Sequence, residues 1–145
     1  LTVAEALAGA LPAGALVTGE RLADVLAPGD HGSTFGGGPV VCAAALAVLE
    51  ILDDPELLAR VGALGARLAA GLELLPHVLR VRGRGLMLAC DIDLPAPDVV
   101  RRALLRQRLV VNATGPATVR LLPPLTLTEA EADEGLERLG AALGG

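Results

Sequence analysis

The stretch GDHGSTFGGGPVVCAAALA, residues 29–47, is the most informative part of the chain. Its first part, residues 29–39, holds five glycines, one histidine, one serine and one threonine, and it closes at Pro39. Glycines let backbone N–H groups approach a ligand closely, and the run after Pro39 predicts a helix whose N-terminus favours anions. The loop is therefore typical of a phosphate-contacting site or of a flexible glycine-rich connection. It is not a Walker A loop, because the GK[ST] ending is missing.

Outward from this loop, the pattern predicts an α+β fold, a small sheet with helices on one side. Residues 1–18 are almost uncharged and predict buried strand and turn, and residues 20–26 predict a short helix. Thr128, with Glu131 three residues later, predicts a capping box before the last helix. The remaining elements are helices over residues 40–52, 55–75 and 97–107 and strands over residues 78–82, 86–92, 109–111 and 118–122.

Composition limits the class of partner. The 145 residues are 52% hydrophobic, so one ordinary domain can bury an ample core. The only aromatic residue is Phe35, which leaves no platform for stacking bases, and the net charge is −5 with no long basic run. These features argue against nucleic-acid binding and favour small molecules or proteins as partners.

The sequence predicts no membrane segment and no metal site. It has no run of eighteen apolar residues and no basic start to a signal peptide, so a cytoplasmic location is the default expectation. Cys42 and Cys90 lie in apolar runs and are predicted to be buried, reduced thiols. No His, Cys and Asp cluster has metal-ligand spacing. Because Leu1 is not an initiator methionine, we expect the chain to begin within a longer protein.

The run HGSTFGGGP, followed by the alanine-rich CAAALA, resembles the signature of the class III aminotransferases, and the acetylornithine branch in particular. The resemblance implies pyridoxal 5′-phosphate as cofactor and a homodimer. It implies that Thr34 binds the cofactor phosphate of the neighbouring subunit and that Ser33 lies near the substrate. Gly38 departs from the family's usual asparagine.

Two further stretches carry the same resemblance. Residues 1–15 are similar to the family's TxAKGLGGGLPIGA, and residues 119–125, VRLLPPL, follow an asparagine at residue 112 as in the family. The resemblance implies that Arg120 pairs with a carboxylate of the amino or keto acid, which suits a planar guanidinium. It implies the fold of a fold-type I transferase. Residues 1–39 would end its large cofactor-binding domain, and residues 40–145 would form its small C-terminal domain.

Position 5 departs from the family pattern. Glu5 stands where the family has the lysine that holds the cofactor as a Schiff base and shuttles the substrate proton. All twelve basic residues are arginine, so no lysine elsewhere in the chain can substitute. The chain is therefore predicted to be inactive in ordinary transamination.

Two functions remain open from the sequence. The resemblance implies transfer of an amino group from N-acetylornithine to 2-oxoglutarate in arginine biosynthesis, with ornithine, 4-aminobutyrate and other ω-amino acids as alternative donors. The other function is that of a non-catalytic protein which kept the fold and acts as a binding or interaction partner. Glu5 and Gly38 motivate this second function.

Overall fold

The computed structural model describes residues 1–4 and 6–144. The chain divides into two compact units, Leu1–Pro55 and Glu56–Gly145, and each is described by itself. The sequence-based boundary after residue 39 concerns the domains of the larger family fold and stays a prediction.

The first unit contains little regular structure before its long helix. Strand β1 (Thr2–Val3) pairs antiparallel with β2 (Ala15–Leu16), and α1 spans Pro39–Leu52. The predicted helix over residues 20–26 was wrong. The segment forms only a 3₁₀ turn, Glu20–Leu22, and its N-cap Gly19 provides no side-chain cap.

Burial of residues 1–18 was also predicted wrongly. Ala8 is buried, but Leu1, Leu16 and Val17 are 82, 61 and 55% exposed. Two strands of two residues make a sheet too small to bury an apolar face. Helix α1 is apolar except for Glu50, yet none of its residues is buried in the described chain. The first unit therefore presents apolar surface of a kind that marks contact sites in soluble proteins.

The second unit is a four-stranded antiparallel sheet with three helices, as the α+β prediction requires. Its strands follow the order β3-β4-β6-β5. The elements are α2 (Pro55–Glu73), β3 (Val78–Arg84), β4 (Met87–Ile92), α3 (Ala96–Gln107), β5 (Asn112–Gly115), β6 (Thr118–Leu121) and α4 (Glu129–Gly144).

The strand predicted over residues 109–111 begins later, at Asn112. The chain is still closing helix α3 in this segment. Arg108 takes the left-handed conformation at φ 52°, and the backbone N–H of Leu109 donates to the carbonyl oxygen of Ala103 at 2.9 Å. This bond satisfies a carbonyl at the end of the helix, and the pairing of β5 with β6 starts only after it.

One aliphatic core joins the three helices to one face of the sheet. Alternation along β6 shows the division between the faces, since Val119 and Leu121 are buried while Arg120 between them is exposed. Seventeen residues of the described chain, counting Ala8 in the first unit, form its buried apolar set, and none of the described polar or charged residues is buried. The opposite face of the sheet is therefore free to carry charged side chains.

The helix ends are secured by side chains. The predicted capping box is confirmed, because Glu131 N–H donates to the Thr128 hydroxyl at 3.2 Å and Thr128 N–H donates to the Glu131 carboxylate at 2.8 Å. Helices α3 and α4 also cap each other. Arg102 donates to the carbonyl of Ala142 at 2.8 Å, and Arg138 donates to the carbonyl of Gln107 at 3.2 Å. These cationic groups also complement the negative ends of the helix dipoles.

The two cysteines differ. Cys90 is buried, as predicted, and burial raises the pKa of its thiol. Cys42 was predicted to be buried but is exposed, and its thiol donates to the carbonyl of Gly37 at 3.3 Å.

Among the helices of residues 1–4 and 6–144, none is long and apolar enough to cross a membrane.

Candidate functional site

The glycine loop of the first unit is folded around a serine. The backbone N–H of Gly36 donates to Ser33 Oγ at 3.0 Å. A Cβ on residue 36 would lie 2.9 Å from Ser33 Cβ and Oγ, so a side chain there requires the turn to open. Gly37 follows in the left-handed region at φ 69°. The glycines at 36 and 37 are thus required by the shape of this turn.

Thr34 lies exposed on this turn, and its hydroxyl makes no hydrogen bond with any residue that the structure describes. Gly38 is the N-cap of α1 and Pro39 its first residue; Gly38 provides no side-chain cap. The family's usual asparagine would offer one at that position. A free hydroxyl beside an uncapped helix start is an arrangement that can bind an anion.

An apolar cavity of about 470 Å³ lies within the first unit, next to the loop. Phe35, Gly36 and Gly37 form its loop side, and Val41 and Cys42 belong to its helix side. The cavity has no charged lining residue. The cavity is open to solvent, since its lining residues Phe35 and Leu46 are 91 and 62% exposed, and it offers an apolar contact surface beside the loop.

Arg120 lies in the second unit, near the middle of the sheet. It pairs with Ala89 of β4 on one side and with Asn112 of β5 on the other. Its exposed side chain shares the face opposite the helices, and it forms no hydrogen bond or ion pair with any described residue. An arginine whose strand lies between two others, whose neighbours along that strand are buried and which has no carboxylate partner among the described residues is suited to bind a carboxylate ligand.

Three further polar side chains share this face of the sheet. Asp91 Oδ1 accepts a hydrogen bond from the Thr118 hydroxyl at 2.8 Å, and Asp91 Oδ2 forms an ion pair with Arg82. Arg82 and Thr118 lower the pKa of the Asp91 carboxyl, and Asp91 raises the pKa of the Arg82 guanidinium.

Gly83 shapes the hairpin that carries Arg82. Its φ is 143°, and a Cβ there would lie 2.0 Å from the carbonyl oxygen of Met87.

Sequence reasoning missed this network. It assigned no role to Asp91, Arg82 or Thr118. Strand alternation would have placed these three residues on the polar face, but only the register of the sheet brings them into contact.

The predicted site residues fall in separate places. Ser33 and Thr34 share the loop of the first unit, and Arg120 lies in the sheet of the second. Glu5 lies outside the described residues. The roles assigned to these four residues therefore stay predictions.

The fold, with its glycine loop and the arginine in β6, is that of a portion of an aminotransferase. The class III aminotransferase family matches residues 1–143, and the chain belongs to this family. It is 46% identical over 138 residues to acetylornithine aminotransferase 1 of Bordetella bronchiseptica, covering 92% of the chain and 35% of that protein.

Solved structures agree with this assignment. The chain superposes on acetylornithine aminotransferase from Elizabethkingia anophelis with a TM-score of 0.84 and 32% identity, covering 98% of this chain and 38% of that one. Ornithine aminotransferase from Toxoplasma gondii gives a TM-score of 0.85 and 32% identity, covering 98% and 35%. The chain thus spans about a third of the length of the curated relatives it matches.

Proposed function

We propose that this chain is the C-terminal part of a pyridoxal-phosphate-dependent transaminase of the acetylornithine type. Enzymes of this type act on N-acetylornithine and 2-oxoglutarate, and Glu5 would leave this protein inactive as it stands. The observation that carries the proposal is Arg120, held in the sheet where the family signature predicts a carboxylate-binding arginine and left without a partner among the described residues. Residues 1–39 would belong to the large domain, residues 40–145 to the small one, and the protein would be cytoplasmic.

The described residues fit the phosphate end of the cofactor. The Toxoplasma gondii relative has this cofactor at partial occupancy in its active site. In the present chain, the exposed Thr34 hydroxyl and the glycine turn beside it provide donors suited to a phosphate group. When bound, the cofactor supplies an electron sink for amino-group transfer. Thr34 would hold its phosphate, in a homodimer that of the neighbouring subunit, and Ser33 would lie near the substrate.

Arg120 would orient the substrate by gripping a carboxylate with its planar fork. Both neighbours of Arg120 in β6, Val119 and Leu121, are buried in the core, so the strand cannot rotate to release the arginine. A group that is positioned before the substrate arrives costs little entropy on binding. Amino acids and keto acids both carry a carboxylate, so one arginine can serve both halves of a transamination.

Glu5 would make the protein inactive. No side-chain amine exists in the chain, so the covalent attachment and the proton transfer that the family's lysine performs have no residue to perform them. A glutamate at this position would also bring negative charge toward a phosphate.

A chimera tests both parts of the proposal. The aligned third of the Bordetella bronchiseptica relative is replaced by this chain, and transamination of N-acetylornithine with 2-oxoglutarate is measured. The chimera with Glu5 should turn over at least about 100-fold more slowly than the one with Glu5→Lys, since general acid–base catalysis alone contributes this much. Adding Arg120→Gln to the lysine chimera should raise KM for 2-oxoglutarate.

The controls separate the remaining readings. The Glu5→Gln variant of the chimera removes the charge but supplies no amine, so it should be as inactive as the chimera with Glu5. A Glu5→Lys chimera that folds but neither absorbs in the visible with added cofactor nor turns over would refute the enzyme assignment. That outcome would favour the non-catalytic binding protein.

A further inference from the structure

Two arginines flank Ala89 on the exposed face of the sheet. Ala89 pairs with Arg82 of β3 on one side and with Arg120 of β6 on the other. Asp91 is two residues further along β4 and shares this face. Arg82 and Arg120 are therefore both diagonal neighbours of Asp91, at about 7–8 Å between backbones, a distance that long side chains span.

Only one of these two arginines takes the carboxylate. Arg82 forms the ion pair with Asp91 Oδ2, and the Thr118 hydroxyl donates to Oδ1 at 2.8 Å. Arg120 has no ion pair or hydrogen bond with any described residue, although its position relative to Asp91 mirrors that of Arg82.

From this asymmetry we infer that Arg82 is a positioning residue: by occupying Asp91 together with Thr118, it keeps Asp91 from capturing Arg120. The inference rests on the proposed function in one respect, namely that the free Arg120 guanidinium serves a substrate carboxylate. An arginine engaged by an internal carboxylate must give up that pair before it can bind an external one. Loss of Arg82 would thus weaken substrate binding without touching the substrate.

Arg80 provides the matched control. It stands directly opposite Asp91 on β3, and its charge helps to lower the pKa of the Asp91 carboxyl, but it forms no ion pair with Asp91. Arg80→Gln and Arg82→Gln each remove one positive charge from the same face. A purely electrostatic effect on an anionic ligand would therefore be similar in both variants, whereas release of Asp91 occurs only in Arg82→Gln.

The first measurement is the binding of glutarate to the isotope-labelled 145-residue chain. Binding is monitored through the NMR signal of the Arg120 guanidinium. We expect Arg82→Gln to raise the Kd about 1.5- to five-fold, the range that an exposed ion pair contributes to an equilibrium constant. Arg80→Gln should change it less. Adding Asp91→Asn to Arg82→Gln removes the competitor and should restore the wild-type Kd. An unchanged Kd in Arg82→Gln, or no rescue by Asp91→Asn, would overturn the inference.

The second measurement needs no ligand. The pKa of Asp91 is followed by carboxyl NMR in Arg82→Gln with and without Arg120→Gln. If Arg120 replaces Arg82 as the partner, Arg120→Gln raises the pKa of Asp91 in the Arg82→Gln background and changes it far less in the wild type. Equal effects in both backgrounds would overturn the inference. If the wild-type chain binds no glutarate at Arg120, the proposed role of Arg120 in substrate binding fails. The pKa comparison of the Arg82→Gln and Arg120→Gln variants still decides whether Arg82 keeps Asp91 from pairing with Arg120.

Discussion

A pair of glycines in helix α2 offers the sharpest test of the packing. A Cβ on Gly65 would lie 2.3 Å from the carbonyl oxygen of Gly85 in the β3–β4 hairpin. Gly62, one turn earlier in the same helix, has nothing within 4 Å of its Cβ position. Both residues sit in the helix interior, so alanine brings each the same gain in helix propensity, about 1 kcal/mol.

The contact decides the difference between the two variants. An ordinary Cβ contact begins at 3.4 Å, so Gly65→Ala forces α2 and the hairpin apart by about 1 Å. Overpacking of this kind costs about 1–3 kcal/mol. Gly62→Ala should therefore raise the free energy of unfolding by about 0.5–1 kcal/mol. The free energy of unfolding of Gly65→Ala should lie about 1–3 kcal/mol below that of Gly62→Ala.

Urea unfolding followed by far-UV circular dichroism measures both variants. The comparison is valid where the slope with urea concentration stays that of the wild type, because a constant slope means that the same surface is exposed on unfolding. If Gly65→Ala proved as stable as Gly62→Ala, the close approach of α2 to the hairpin would be refuted.

Three further predictions concern caps, core and thiols. Thr128→Ala should cost about 1 kcal/mol at pH 7. The cap bonds lower the pKa of Glu131, so its contribution is present above its ordinary value of 4.5 and is lost as pH falls through the lower folded value. The cost of Thr128→Ala, measured by urea unfolding, should therefore shrink in acid. Leu139→Ala, at a fully buried site, should cost about 2–5 kcal/mol, whereas the exposed Leu104→Ala should stay within about 0.5 kcal/mol in the same assay. In a thiol-reagent assay of the folded chain, Cys42 should react at once and Cys90 only on unfolding, and equal rates would contradict the burial of Cys90.

Local signals in the sequence predicted the second unit well. The helix predicted over residues 55–75 is α2, and its leucines at a helical spacing of four, Leu64, Leu68 and Leu72, are buried. The capping box at Thr128 fixed the start of α4 to the residue. Both signals are complete within a few residues, so they do not depend on how distant parts of the chain pair.

Features that depend on distant pairing could not be predicted. Asp91 meets Arg82 from nine residues away and Thr118 from twenty-seven away, through a register that no local pattern reports. The prediction that residues 1–18 are buried failed for a related reason. Apolar composition indicates a tendency to be buried, but it does not say which part of the protein covers the segment. Arg120, by contrast, was singled out through the family signature, and its role stays a prediction. Alone it would have been one arginine among twelve.

Loss of catalysis and retention of carboxylate binding are two separate predictions for this chain. The first prediction rests on composition, because the 145 residues contain no lysine and residue 5 is a glutamate. The second prediction rests on the sheet, where both neighbours of Arg120 in β6 are buried and Asp91 forms an ion pair with Arg82. A protein that has lost turnover has no need to keep an unpaired arginine for a transition state, but it keeps one if it still binds amino or keto acids. Glutarate affinity that depends on Arg120 in a chain without turnover would therefore indicate a retained binding function rather than a decaying enzyme.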